Sequence, residues 1–175
     1  MSEYQITCCS TADMPAQYFE EKKIPFVCFN FLMDGVQYPD DLGKSMPFKE
    51  FYKKIADGAE PTTAQVNTQQ YMELFEPILQ KGLDILHLTL SSGISGSINS
   101  ANIAKVQMEE KYPGRKVRII DSLSASSGYG MLVDMALTKQ QEGLSLEENA
   151  SWLEENRNKL HHWFFSTDLT SFIRG

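Results

Sequence analysis

Short apolar runs alternate with amphipathic segments along the chain, and this alternation predicts strands separated by helices. Apolar runs typical of strands occupy residues 5–9, 25–33, 84–90, 117–120 and 162–166. Between them, apolar positions recur every three or four residues, which predicts helices near residues 16–22, 47–57, 68–81, 98–112, 126–141 and 146–159. This order indicates βαβ units. We therefore expect an α/β fold with a mostly parallel sheet flanked by helices, in three layers.

The predicted helix starts and the polar segments agree with this arrangement. Two helices begin with the spacing of a capping box, at residues 67–70 and 145–148. Ser45 is placed to cap the helix that follows it. Residues 34–44 and 60–66 are polar and lack a period, so we expect loops in both places.

The composition is that of one globular domain with an acidic surface. Of the 175 residues, 42% are hydrophobic, which is enough to form a core without a metal or disulfide. Sixteen basic and 23 acidic residues give a net charge of -7, which disfavours a nucleic-acid partner. No apolar stretch approaches the ~18 residues of a membrane span, and no signal peptide is evident. Cys8, Cys9 and Cys28 have the apolar surroundings of reduced thiols, so we expect a cytoplasmic protein.

The last residues predict a second unit. Residues 169–175 begin an apolar segment that is not completed. We therefore expect residues 1–160 to form the α/β domain and residues 161–175 to start a second, truncated domain.

Polar loops follow three of the predicted strands, at residues 10–13, 91–97 and 121–127. Since the carboxyl ends of parallel strands share one edge of a sheet, ligands bind there. The loop at residues 61–66 precedes a helix and is expected to join them. Hydroxyls, backbone N–H groups and helix N-termini suit a carboxylate or phosphate, although each loop alone is equally well explained by turn and cap residues.

Two other functions remain open at this stage. The segment around Ser95, GISGS, resembles a nucleophile elbow with Ser97 in place of the final glycine, so a hydrolase of small acids or esters using Ser95 or Asp121 is one alternative. A fragment that binds no ligand and self-associates through an apolar face is the other. No phosphate-loop or dinucleotide motif and no metal-ligand spacing occurs, so we expect no cofactor and no metal.

Several ordered segments resemble the DegV family of bacterial fatty-acid-binding proteins. The family's opening T-D-S-x-x-D-L-P resembles STADMP at residues 10–15. Its P-x-T-S-Q-P resembles PTTAQ at 61–65, and its S-S-x-L-S-G-T-y-q-S-A resembles SSGISGSINSA at 91–101. Weaker matches are YPDD with FKEFY at 38–52, DS…G at 121–130, and Asp168-Leu169.

The resemblance implies an N-terminal α/β domain that, with a second domain, holds a long-chain fatty acid. It implies that Thr63 and Ser95 bind the carboxylate, with Ser92 and the Gly96 amide as nearby donors, and that the acyl chain lies along apolar side chains. It also implies a carrier without catalytic residues that presents the acid to a fatty acid kinase for phosphorylation. Residues expected at the pocket rim are Ser10, Asp121 and Ser122.

The chain also departs from the family pattern at several positions. Cys8-Cys9 stands where the family has its opening Thr-Asp, so an acidic side chain at that strand end is lost. Further replacements near the expected site are Ala64 for Ser, Val66 for Pro, Asn67 for Ser and Ser97 for Thr.

Overall fold

A computed structural model describes residues 3–166, and this range contains seven β-strands and six α-helices. The strands are β1 (Tyr4–Cys9), β2 (Phe26–Val27), β3 (Asn30–Met33), β4 (Val36–Pro39), β5 (Thr62–Ala64), β6 (Asp84–Thr89) and β7 (Val117–Asp121). The α-helices are α1 (Ala16–Lys22), α2 (Phe48–Ala56), α3 (Thr68–Gln80), α4 (Ser97–Lys111), α5 (Ser126–Gln141) and α6 (Leu146–Asn156).

A parallel sheet with the strand order β2-β1-β6-β7 forms the centre of the fold. Successive side chains of β1 point to opposite faces, as the pleat requires. The sulfur of Cys9 faces α3, 3.5 Å from the Tyr71 hydroxyl, whereas Tyr4 faces α6 and accepts a 2.9 Å hydrogen bond from Asn149. Helices α3 and α4 pack together on one face, and α5 and α6 on the other. The predicted three-layer α/β fold is confirmed.

A second, antiparallel sheet with the order β4-β3-β5 corrects the sequence prediction. The single strand expected over residues 25–33 is interrupted between β2 and β3. The expected loop at 34–44 contains β4, because Asp34 and Gly35 both adopt a left-handed φ (54° and 78°) and turn the chain back in a two-residue hairpin. The expected loop at 60–66 contains β5, whose three residues are all exposed and so show no apolar alternation.

The helix starts confirm two predictions and correct one. Asn67 accepts a 3.0 Å hydrogen bond from the Gln70 amide, and the segment from Ser145 to Glu148 also forms a capping box. Ser45 does not cap α2, since Pro47 holds the N-cap position. The Ser45 amide instead donates to Asp41 at 2.9 Å, which closes the preceding loop.

The strand expected at 162–166 is wrong, because these residues pair with no strand among those described and expose Trp163, Phe164 and Phe165. The remainder of the expected second domain, including the Asp168-Leu169 match, lies outside the described residues. The boundary near residue 160 therefore stays a prediction. Within residues 3–166, none of the helices is long and apolar enough to cross a membrane.

Candidate functional site

A groove of about 710 Å³ opens between the carboxyl ends of β1 and β6 and the small antiparallel sheet. The loops that follow β1 and β6 line it on the side of the central sheet, β3 and β5 contribute the floor, and α2 supplies a wall of aromatic side chains. Most of the lining is apolar or aromatic, as in sites for small organic ligands. Its large apolar side chains are Phe29, Phe31, Met46, Phe48, Phe51, Tyr52, Leu90 and Ile94.

The aromatic wall is built by an amphipathic helix that packs against β3. The ring of Phe51 meets Phe31 edge to face at 5.2 Å and Tyr52 at 5.3 Å, a favourable arrangement of aromatic quadrupoles. Phe48 and Tyr52 remain 59% and 66% exposed. The apolar face of the helix predicted near residues 47–57 therefore lines the groove, and its surface can hold a hydrocarbon chain.

Polar groups converge where β5 meets the start of α4. Thr63, Ser95 and Gly96 all line the groove, and Ser97 begins the helix. The Ser95 oxygen accepts a 3.2 Å hydrogen bond from the Ser97 amide, which leaves its hydroxyl hydrogen available to donate. Because a helix N-terminus carries partial positive charge, this corner suits an anion.

Gly96 and the side chain of Gln65 approach each other closely. A Cβ atom at position 96 would lie 3.0 Å from the amide oxygen of Gln65, which also lines the groove. Gln65 was part of the PTTAQ motif but was not singled out as a site residue. Its side chain packs over Gly96 and brings the β5 segment against the start of α4.

The other predicted site residues are not part of the groove lining and form hydrogen bonds within and between the neighbouring loops. The Ser92 amide donates to Asp121 at 3.1 Å, and the Ser122 hydroxyl donates to the Ser124 carbonyl at 3.0 Å. Ser10 is buried and accepts a 3.1 Å hydrogen bond from the Phe29 amide. Direct contact between these residues and a ligand stays a prediction.

An acidic wall faces the same groove; its Asp13 belongs to the polar loop predicted at residues 10–13, whereas Asp40 is not among the predicted site residues. Asp13 and Asp40 line it, and Ser10 hydrogen-bonds to Asp40. Burial raises the pKa of Asp40, and the charge of Asp41 raises it further. Partial burial also raises the pKa of Asp13, with Asp40 contributing in the same direction. Thr11 lies on this wall, and its buried hydroxyl has no hydrogen-bond partner among the described residues.

The residues around Ser95 do not form a catalytic triad in the described part of the chain. His87 is fully buried under α3, and burial lowers the pKa of its imidazole to about 3. His162 lies against Gly128 at the start of α5. No hydrogen bond within residues 3–166 joins Ser95 to a histidine, and no group of three His, Cys, Asp or Glu side chains there is arranged to hold a metal ion.

The fold and the groove define a class: an α/β protein whose apolar groove ends in hydroxyl and amide donors at a helix N-terminus. The family model described as "Uncharacterised protein, DegV family" matches residues 4–175. The chain therefore belongs to the DegV family, as its motifs predict. A DegV domain-containing protein of Clostridium perfringens is 36% identical over the whole chain. The chain spans about three-fifths of the length of the curated relatives it matches, 60% for that protein.

Solved structures share the fold. A stearic acid-binding protein from Eubacterium ventriosum has a TM-score of 0.79 and 28% identity, covering 86% of this chain and 52% of its own. A DegV family protein from Thermus thermophilus, described as binding fatty acid, has a TM-score of 0.77 and 30% identity, with 90% and 54% covered. The fatty acid kinase B3 protein of Streptococcus pneumoniae, loaded with linoleic acid, shares the fold with a TM-score of 0.74 and 24% identity. The match covers 89% of this chain and 54% of that protein.

Proposed function

We propose that this chain binds a long-chain fatty acid, with its carboxylate at Thr63, Ser95 and Gly96 and its acyl chain along the aromatic wall. The single observation that carries the proposal is the convergence of free donors and a helix N-terminus at one corner of an apolar groove. Each buried CH₂ group of the ligand would contribute about 0.8 kcal/mol. The description of two related structures as fatty-acid-binding supports the same ligand class.

The finer part of the proposal concerns what happens to the ligand. We propose a carrier that presents the fatty acid to a kinase for phosphorylation and does no chemistry itself. The family motifs support this role, and the exposed α2 wall offers a route by which the ligand can be reached. Three free cysteines agree with a reducing cytoplasm. Residues 161–175 are proposed to lead into a second domain that completes the site.

Native mass spectrometry of the purified chain tests the ligand directly. A bound mass that is released on denaturation and identified as a fatty acid is the expected result. A chain that carries no acyl ligand, and takes up none when hexadecanoic acid is added, would contradict the proposal. The same spectrum reports the assembly mass, and thus the alternative of a self-associating chain without a ligand.

Replacing Ser95 by Ala should weaken binding of hexadecanoic acid by about 10-fold or more, since a hydrogen bond to a charged group contributes about 1.5 to 3 kcal/mol. Isothermal titration measures the affinity. Ser151→Ala is the matched control, because Ser151 is exposed on α6, away from the groove. Equal affinities of Ser95→Ala and Ser151→Ala would remove Ser95 from the site.

A further inference from the structure

The floor of the groove separates two kinds of polar group. Asn30 on β3 pairs with Pro39 of β4 on one side and with Ala64 of β5 on the other. Asp40 follows Pro39 and Thr63 precedes Ala64, so the two lining side chains belong to opposite edges of the small sheet. Since neighbouring strands are about 4.8 Å apart, the two outer strands lie roughly 10 Å apart.

The acidic edge is held in place by backbone and side-chain contacts. The Asp40 amide donates to the Phe29 carbonyl at 2.8 Å, and its carboxylate is hydrogen-bonded by Ser10. The Asp13 amide donates to the Ser10 carbonyl at 3.0 Å, and its carboxylate is hydrogen-bonded by Ser126. Ser10 thus connects both acidic residues, which are close enough for the charge of Asp40 to raise the pKa of Asp13.

No basic side chain compensates these carboxylates in the lining formed by the described residues. Lys44, in the loop that follows Asp41, is exposed and pairs with Glu20 at 3.7 Å. The groove therefore runs from a corner with N–H and O–H donors to a wall with two negative charges. A ligand that is negative at one end and apolar at the other therefore fits this groove in only one orientation, with its negative end at the donor corner.

We propose that Asp13 and Asp40 set the direction of the bound ligand and restrict the site to monocarboxylic acids, by repelling a carboxylate that reaches their edge of the groove. This inference rests on the proposed fatty-acid function and adds a specificity determinant to it. The head group is directed to Thr63 and Ser95, and an α,ω-dicarboxylic acid is rejected because its second carboxylate would lie against like charges.

Dodecanoic and dodecanedioic acid form a matched pair of probes, since the chain is long enough to cross the floor. Isothermal titration at mildly alkaline pH, where both aspartates are ionised, should show the diacid binding at least about 30-fold more weakly to the wild-type chain. In the double variant Asp13→Asn/Asp40→Asn this ratio should fall to about 3-fold. Asp57→Asn is the control, because Asp57 is exposed at the end of α2, pairs with Lys53 and is not part of the lining, so its removal should leave the ratio unchanged.

Each outcome has a distinct meaning. If the wild type binds both acids equally, or if the double variant keeps the wild-type ratio, the inference is wrong while the proposed function stands. If dodecanoic and hexadecanoic acid both fail to bind to the wild type, the proposed function fails and the inference with it. Should the double variant unfold, the single Asp13→Asn variant provides the same comparison: a ratio reduced at least about 3-fold supports the proposal, and an unchanged ratio contradicts it.

Discussion

Acidification is expected to lower the free energy of unfolding by about 2 to 3 kcal/mol between about pH 6.5 and pH 4.5, because His87 is buried in its neutral form. Burial lowers the pKa of this imidazole from 6.5 to about 3. The unfolded chain binds the proton once the pH falls below about 6.5, whereas the folded chain does not until about pH 3. Stability contributed by the neutral imidazole is therefore present above the unfolded pKa and is lost as the pH falls through this window.

The described side chains around His87 give an imidazolium no negatively charged partner. Thr7 lies 2.8 Å from its Nδ1 atom and the Cys9 sulfur 3.8 Å from its Nε2 atom, while the rings of Tyr71 and Phe75 cover it from α3. Burial raises the pKa of both Cys9 and Tyr71, so these groups stay neutral. An imidazolium here would be an uncompensated buried charge, which is the costly case.

Urea unfolding at several pH values measures this effect. The free energy of unfolding of the wild type should fall by up to about 1.4 kcal/mol per pH unit. The pH dependence of His87→Gln should be less steep by about the same amount. Asp13 and Asp40 have the opposite effect on stability, since their raised pKa values let the folded state take up protons before the unfolded state does. Both proteins contain these two residues, so their contribution cancels in the difference between wild type and His87→Gln. His161→Gln, at an exposed position, is the control. Parallel curves for wild type and His87→Gln would contradict the assignment.

The central sheet could be predicted from the sequence because its signal is local. Strand β6 is buried at all six positions, and α3 starts with a complete capping box, so period and cap agree on these elements. The second sheet was missed for two different reasons. Asp34-Gly35 is a dipeptide typical of a two-residue hairpin turn, so the sequence does contain a signal for β4. Strand β5 forms by pairing with β3, which lies about thirty residues earlier in the chain. Its three residues are all exposed, so they show no alternation of apolar and polar positions.

That Thr63, Ser95 and Gly96 belong to one site could be predicted from the family motifs in which they lie, and all three line the groove; that they bind a carboxylate stays a prediction. The acidic wall could not be predicted in the same way, since Asp40 enters the groove only through the hairpin that places β4 beside β3. The apolar period near residues 47–57 predicts a helix with one apolar face, and the structure confirms the helix as α2. Whether that face meets a core or a groove depends on which sheet it packs against, and this is a tertiary property.

Replacing Tyr129 by Phe is expected to destabilise the fold by about 2 to 4 kcal/mol. The Tyr129 hydroxyl donates to the Leu88 carbonyl at 2.6 Å and accepts from the Cys9 amide at 2.9 Å, so α5 joins the ends of β6 and β1 through one oxygen atom. The side chain is fully buried. Phe removes the oxygen and leaves two buried backbone groups without a partner, and each such group costs about 1 to 3 kcal/mol.

Urea unfolding of Tyr129→Phe beside Tyr18→Phe separates this effect from the loss of any phenol. Tyr18 donates to Asp134 at an exposed site where water replaces the lost bond, so its removal should cost less than about 1 kcal/mol. Similar losses for both variants would show that the bridge contributes little. The loops at residues 10–13 and 90–96 start at the two strand ends that Tyr129 joins. A destabilised but folded Tyr129→Phe chain should therefore also bind hexadecanoic acid more weakly than Tyr18→Phe, because the walls of the groove lose their common anchor.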